Sequence, residues 1–134
     1  NKIKIDEIHQ LSIEDFMEKA AISYDRAKEF KGLATFQRIP SIGYKMARKL
    51  VYCGYYSLSD VKDKDWVKLY DELEQKLGYW MDPCVEDQVM CVIHHANHPQ
   101  SNKLWFHFTE ERKQYRKVHG YPATRPALAW YDVK

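Results

Sequence analysis

The chain has 134 residues, 45% of them hydrophobic and 14% aromatic, which is enough apolar material for one core without disulfides or a structural metal. A single helical domain over residues 1–134 is therefore expected. No apolar run approaches the roughly 20 residues of a membrane span and no signal-like leader opens the chain, so we expect a cytoplasmic protein with no membrane partner. The separated cysteines Cys53, Cys84 and Cys91 fit reduced thiols better than disulfides.

The net charge of +2 excludes no class of partner, but the charges are segregated along the chain. Residues 1–25 and 60–87 are mainly acidic, and residues 103–125 are mainly basic. In residues 26–49 the only acidic residue is Glu29, and the basic ones are Arg26, Lys28, Lys31, Arg38, Lys45, Arg48 and Lys49. Such blocks either attract a polyanion or pair with each other as solvated faces.

The first helix is predicted over residues 13–31. Its apolar positions recur at spacings of three and four, which is the period of a helix face. Ser12 and Asp15 have the spacing of a capping box at its start, and Gly32 follows as the expected terminating residue.

A second helix is predicted over residues 44–53, where the apolar residues again share one face and Gly54 follows at the stop position. Pro40 lies before it and forbids helix continuation from the apolar stretch that precedes it. A tight turn over residues 40–43 is therefore expected between two helices.

Two further helices are predicted over residues 65–77 and 83–97, the first closed by Gly78 and the second begun by Asp82 as cap. A polar helix is predicted over residues 109–119. No segment alternates like a half-buried strand, so the predicted fold class is a compact all-α bundle. Its core is placed at residues 33–98, with an aromatic and basic tail over residues 99–134 packing on it.

The turn between the first two predicted helices is the part of the sequence that indicates a binding site. Ile42 is expected to anchor the turn in the core, while Gly43 supplies backbone angles or close approaches that a side chain would block. The first amides of the following helix, together with its dipole, form a seat for a phosphate group. The residues that we assign to binding a DNA backbone are Ser41, Ile42, Gly43, Lys45, Arg48 and Lys49.

The string Ile39 to Ala47 resembles the helix-hairpin-helix motif, an element of SAM-like helical domains. The usual motif has glycine at the positions of both Ser41 and Gly43, so this chain lacks the first glycine. The turn is then either a phosphate seat or a purely structural connection between two core helices.

A longer resemblance covers residues 33 to 108. It rests on Ile39–Ala47, Tyr55–Val61, Leu69–Tyr70, Asp82–Val85 and Leu104–Phe108. This run resembles the bacterial pathogenicity-locus family, also called mitomycin-resistance-like, which is related in fold to the C-terminal domain of TfoX-type competence regulators. The resemblance implies a compact helix-hairpin-helix protein that binds DNA, and no particular reaction.

The tail mixes aromatic and basic side chains. Trp105, Phe106 and Trp130 are expected to close the bundle. A stripe of exposed basic residues is expected beside them as a possible second DNA contact: Arg112, Lys113, Arg116 and Lys117.

Other candidate sites are weaker. Cys91, His94, His95 and His98 share one side of a helix at spacings that can hold a metal, but no second ligand pair accompanies them, so no metal is expected. The carboxylates Asp63, Asp65, Asp71, Glu72 and Glu74 are spread as a solvated helix face would be. No hydrolase, kinase or dinucleotide motif occurs, and neither a cofactor nor catalytic residues are expected.

The sequence therefore favours a non-catalytic protein that holds the phosphate backbone of DNA without sequence specificity. The alternative is a protein-interaction adaptor that uses the helical bundle as a docking module. An enzyme is the least supported class. Salt dependence separates the first two, because backbone binding weakens steeply with added salt.

Overall fold

A computed structural model describes residues 4–133, apart from the side chains of Ile5 and Asp6. The described residues contain helices and no strand, with one isolated bridge between Trp80 and Ala129. The predicted all-α fold class is confirmed. The α-helices are α1 (Ile5–Gln10), α2 (Ile13–Ala20), α3 (Tyr24–Gln37), α4 (Tyr44–Tyr52), α5 (Leu58–Val61), α6 (Trp66–Leu77), α7 (Pro83–Asn97) and α8 (Thr109–His119).

The chain divides into two compact units, Asn1–Asp60 and Val61–Lys134. The boundary falls inside the segment 33–98 that the sequence analysis treated as one core. The arrangement of both units as a single domain stays a prediction.

In the first unit, α3 packs against α1, α2 and α4. The helix predicted over residues 13–31 is in fact two helices, because Ala21 takes a left-handed conformation with φ of 55° after α2. Ser23 then caps α3 by accepting a hydrogen bond from the amide of Arg26 at 3.3 Å. The apolar period continued across this break, so periodicity alone did not reveal it.

Gly32 does not end a helix, contrary to the sequence prediction. It lies buried inside α3, which continues to Gln37. A Cβ atom at this position would lie 3.0 Å from Cγ2 of Val51 and 3.2 Å from Cα of Tyr56. Gly32 therefore allows the segment around Val51 and Tyr56 to approach α3 closely.

In the second unit, α7 packs against α6, α8 and a short 3-10 helix at Trp105–Phe108. The predicted caps are present. Asp82 Oδ1 accepts a hydrogen bond from the amide of Cys84 at 2.8 Å, and Gly78 ends α6 with φ of 83°. Strong capping signals therefore defined these helices well.

The chain after α8 folds back on the loop before α7. The Trp80 amide donates to the Leu128 carbonyl at 2.8 Å, and the Trp130 amide donates to the Trp80 carbonyl at 2.9 Å. The expected burial of tail aromatics is wrong for two of them, because Phe106 is 51% exposed and Trp130 is 44% exposed. Phe108 is instead the buried aromatic of this region.

Candidate nucleic-acid interface

The tight turn expected over residues 40–43 is present between α3 and α4. The Ile42 amide donates to the Ile39 carbonyl at 3.1 Å, and the Ile42 side chain is buried as expected. Gly43 follows as the N-cap of α4, with no side-chain cap. The turn therefore leaves the first amides of α4 without a side-chain acceptor from the cap residue.

The unusual backbone conformation of the turn lies at Ser41 and not at Gly43. Ser41 has the left-handed conformation, with φ of 68°, whereas Gly43 is extended, with φ of −101° and ψ of −172°. A Cβ atom added to Gly43 would meet nothing within 4 Å. Of the two roles expected for Gly43, unusual backbone angles are excluded, whereas close approach by a bound group is not tested. The described structure itself gives no steric reason for a glycine there.

Three cations lie along α4, with Lys45 in its first turn and Lys49 in its last. Lys45 and Arg48 are exposed, and Lys49 is half-buried. Within the part of the chain that the structure describes, no carboxylate lies at ion-pair distance from any of the three. Burial, and then the charges of Lys45 and Arg48, lower the pKa of Lys49 below its ordinary value. The three charges therefore repel one another, and a bound anion would relieve that repulsion.

The tail residues predicted as a second contact separate into two pairs. Lys113 and Lys117 are exposed. The side chains of Arg112 and Arg116 are only 13% and 9% exposed, so the predicted exposed stripe is wrong for both. Each arginine is directed inward because a buried carboxylate of α7 accepts its hydrogen bonds.

These carboxylates form the polar interior of the second unit. Asp87 accepts from Arg112 Nε at 2.9 Å and from the Thr109 hydroxyl at 2.8 Å. Glu86 accepts from Arg116 Nε at 2.7 Å and from the Tyr121 hydroxyl at 2.5 Å. Both acids are fully buried, so the paired arginines provide the opposite charge that a buried carboxylate needs.

Glu74 was predicted on a solvated acidic face, and this prediction is wrong. Its side chain is buried and accepts from Arg125 Nε at 2.9 Å and from the Met81 amide at 2.7 Å. Glu74 therefore fixes Arg125, a residue of the segment after α8, against α6. The sequence signal for this pairing was weak because 51 residues separate the two partners.

Two of these arginines lie over the ring of Tyr121. The guanidinium carbons of Arg116 and Arg125 are 4.1 and 3.9 Å from its centroid. Burial, together with the hydrogen bond to Glu86, raises the pKa of Tyr121 to about 12. Burial and the charge of Glu74 also raise the pKa of Tyr70 above its ordinary value.

Alkaline pH should therefore weaken the second unit. The contribution of Tyr121 is fully present below its unfolded pKa of 10.0 and is lost as pH rises toward about 12. The loss is at most about 1.4 kcal/mol per pH unit, and less because Tyr121 is 37% exposed.

Urea unfolding at about pH 9 and about pH 11 measures this contribution. Tyr121→Phe should show a smaller difference between the two conditions than the unmodified chain. Tyr131→Phe, at a 64% exposed position, should keep the original difference. Identical pH dependence in all three proteins would contradict the assignment to Tyr121.

The residues that were considered as metal ligands have other partners. His95 Nε2 is 2.7 Å from the Lys103 carbonyl oxygen, and His94 Nε2 is 2.8 Å from the Ser101 hydroxyl. The His98 ring lies 4.8 Å from that of His94. Across residues 4–133, no group of three or more histidine, cysteine or acidic side chains is placed to hold a metal ion.

The chain is thus an all-helical protein in which an open turn leads into the basic helix α4. The model of the Cdd1 pathogenicity-locus family matches residues 29–114. The match spans more than half of the chain, and the chain belongs to this family.

One curated relative is the mitomycin resistance protein McrB of Streptomyces lavendulae. It is 31% identical over 74 residues, which cover 55% of this chain and 70% of that protein. No solved structure matches the chain. None of the described helices is both long and apolar enough to cross a membrane.

Proposed function

We propose that α3, the turn and α4 form a helix-hairpin-helix element that binds the phosphate backbone of DNA without sequence specificity. The observation that carries the proposal is the open backbone at Gly43 beside Lys45, Arg48 and Lys49, three cations without a carboxylate partner in the described chain. Contacts of this kind reach phosphate oxygens and no base edges, so they position the protein without selecting a sequence.

The geometry of Gly43 supports the same proposal. Neither its backbone angles nor its neighbours in the described chain require glycine. A phosphate oxygen that accepts from the first amides of α4 would lie close to Gly43, where the absence of a side chain leaves open space. A phosphate bound at this point would explain why position 43 is occupied by a residue without a side chain.

Gly43→Ala tests the phosphate seat directly. The added methyl group has space in the free protein, so the free energy of unfolding should change by no more than about 1 kcal/mol. Duplex affinity should fall by roughly 10- to 150-fold, the equivalent of one lost charge-assisted hydrogen bond. Fluorescence anisotropy with a labelled duplex at several salt concentrations measures affinity and salt slope together.

Ser41→Gly is the matched control, because it removes a side chain two residues earlier. It relieves the left-handed strain of Ser41 while giving the unfolded chain more freedom, so stability should change little. Affinity should be unchanged or stronger. Unchanged duplex affinity in Gly43→Ala, with normal folding, would exclude the seat at Gly43.

The adaptor is the second candidate, and exposed apolar side chains in the second unit favour it. Leu128, Trp130, Tyr131 and Val133 are between 44% and 64% exposed. Such a cluster within six residues is typical of a contact with another protein. Binding through it would persist at high salt, whereas binding to a DNA backbone would weaken steeply.

A further inference from the structure

A groove of about 350 Å³ lies between α3 and α4, beside the proposed phosphate seat. Leu33 and Val51 give it an apolar lining. Its volume lies in the range of roughly 300–1,000 Å³ that is typical of ligand sites. The groove is therefore large enough for a flat aromatic group.

Three tyrosines line this groove: Tyr44, Tyr52 and Tyr56. Tyr44 and Tyr52 are 53% and 69% exposed, so neither ring is needed to fill the core. With Arg48 they recur every four residues along α4 and form one ridge, roughly 12 Å from first to last. Exposed rings with a guanidinium between them match the alternation of bases and phosphates in a nucleic-acid strand.

The charges around the groove favour an anionic strand over a neutral or basic peptide. Lys28 Nζ lies 4.5 Å from the centroid of the Tyr56 ring, which adds a cation to those of α4. Glu29 is the carboxylate among the lining residues, and it disfavours a phosphate inside the groove itself. The arrangement therefore suits bases inside the groove and phosphates along its basic rim.

We infer that this groove binds single-stranded DNA by stacking unpaired bases on Tyr44 and Tyr52, with Arg48 on the phosphate between them. The inference rests on the proposed function, since the same strand then continues to the seat at Gly43. Bases in a duplex are stacked on each other and are not available to these rings. The chain therefore binds single strands more tightly than duplexes of equal length.

The test compares Tyr44→Leu, Tyr52→Leu and their double variant with the unmodified chain. Leucine keeps the helix and the apolar contacts but removes the ring. Affinity for an oligodeoxynucleotide should fall by roughly 5- to 150-fold for each ring lost. Duplex affinity should stay within about twofold, because the cations and the turn are intact.

Tyr24→Leu is the matched control, since Tyr24 is 51% exposed in the same unit and does not line the groove. It should leave both affinities unchanged. A strand that carries 2-aminopurine reports stacking directly. Its fluorescence should be quenched by the unmodified chain, and the quenching should be lost in the double variant.

The outcomes separate the inference from the proposed function. If single strands and duplexes bind equally, and the double variant binds both as the unmodified chain does, the inference fails while backbone binding stands. If neither probe binds, both fail. An RNA strand of the same sequence is the third probe, and binding of RNA tenfold tighter than DNA would overturn the commitment to DNA.

Discussion

Replacing Glu86 by alanine is expected to destabilise the second unit by about 3–5 kcal/mol. Glu86 is fully buried, and the side chain of Arg116 that it pairs with is only 9% exposed. Removing the carboxylate leaves a guanidinium without its counter-charge and the Tyr121 hydroxyl without its acceptor. The penalty comes from that uncompensated buried charge, so it exceeds the loss of one ordinary hydrogen bond.

Tryptophan fluorescence during urea unfolding measures the free energy of unfolding of the second unit. Trp66, Trp80, Trp105 and Trp130 are the only four tryptophans, and all lie in the second unit. Glu110→Ala is the control, because the Glu110 side chain is 84% exposed and its ion pair with Lys113 is long at 3.9 Å. That change should stay within about 0.5 kcal/mol.

A double replacement shows whether the loss of stability in Glu86→Ala comes from the unpaired charge or from lost packing. Glu86→Leu with Arg116→Met removes both charges while keeping apolar volume, and it should be far less destabilising than Glu86→Ala alone. A loss below about 1 kcal/mol in Glu86→Ala would contradict a buried ion pair at this position.

The helices of the second unit were predictable because their ends carry strong local signals. Gly78 and Asp82 marked the end of α6 and the start of α7, and the structure uses both as caps. A cap involves residues within one helical turn of each other, so all of its residues are neighbours in the sequence and can be recognised there. The bounds of α8, Thr109–His119, also match the polar helix predicted there.

The polar interior was not predictable from local patterns. Each of its ion pairs joins residues at least 25 positions apart. One signal was available in α8, where Arg112 and Arg116 are four residues apart and each is followed by a lysine. The arginines point inward, because their planar guanidinium groups match buried carboxylates, and the lysines remain in solvent.

The turn was predicted in its position but not in its backbone conformation, and the binding role of its residues stays a prediction. The sequence placed the turn and the buried Ile42 correctly, since Pro40 and the helix period mark where one helix cannot continue and the next begins. It offered either unusual backbone angles or a close approach as the reason for Gly43, and the left-handed conformation is found at Ser41 instead. A glycine permits either unusual backbone angles or the close approach of another group. The sequence alone does not show which of the two a given glycine serves.

Replacing Lys45, Arg48 and Lys49 together by glutamine is expected to have the largest effect on DNA binding. Each lost phosphate contact should flatten the slope of log affinity against log salt by about 0.9 on a duplex, so up to about 2.7 for the three. Relative affinity for different sequences should not change, because these side chains reach phosphates only. Folding should be retained, since burial and then repulsion from Lys45 and Arg48 lower the pKa of Lys49, and the variant removes both the buried charge and the repulsion.

A charge-matched control distinguishes a local contact from a general effect of net charge. Lys19, Lys62 and Lys68 are exposed and lie outside the turn and α4, so their replacement by glutamine removes the same charge elsewhere. This control should keep most of the original salt slope. If the Lys45, Arg48 and Lys49 variant instead keeps its helicity, its affinity and its slope, the duplex is not held at α4. The exposed apolar cluster of the second unit would then become the better candidate for the binding surface.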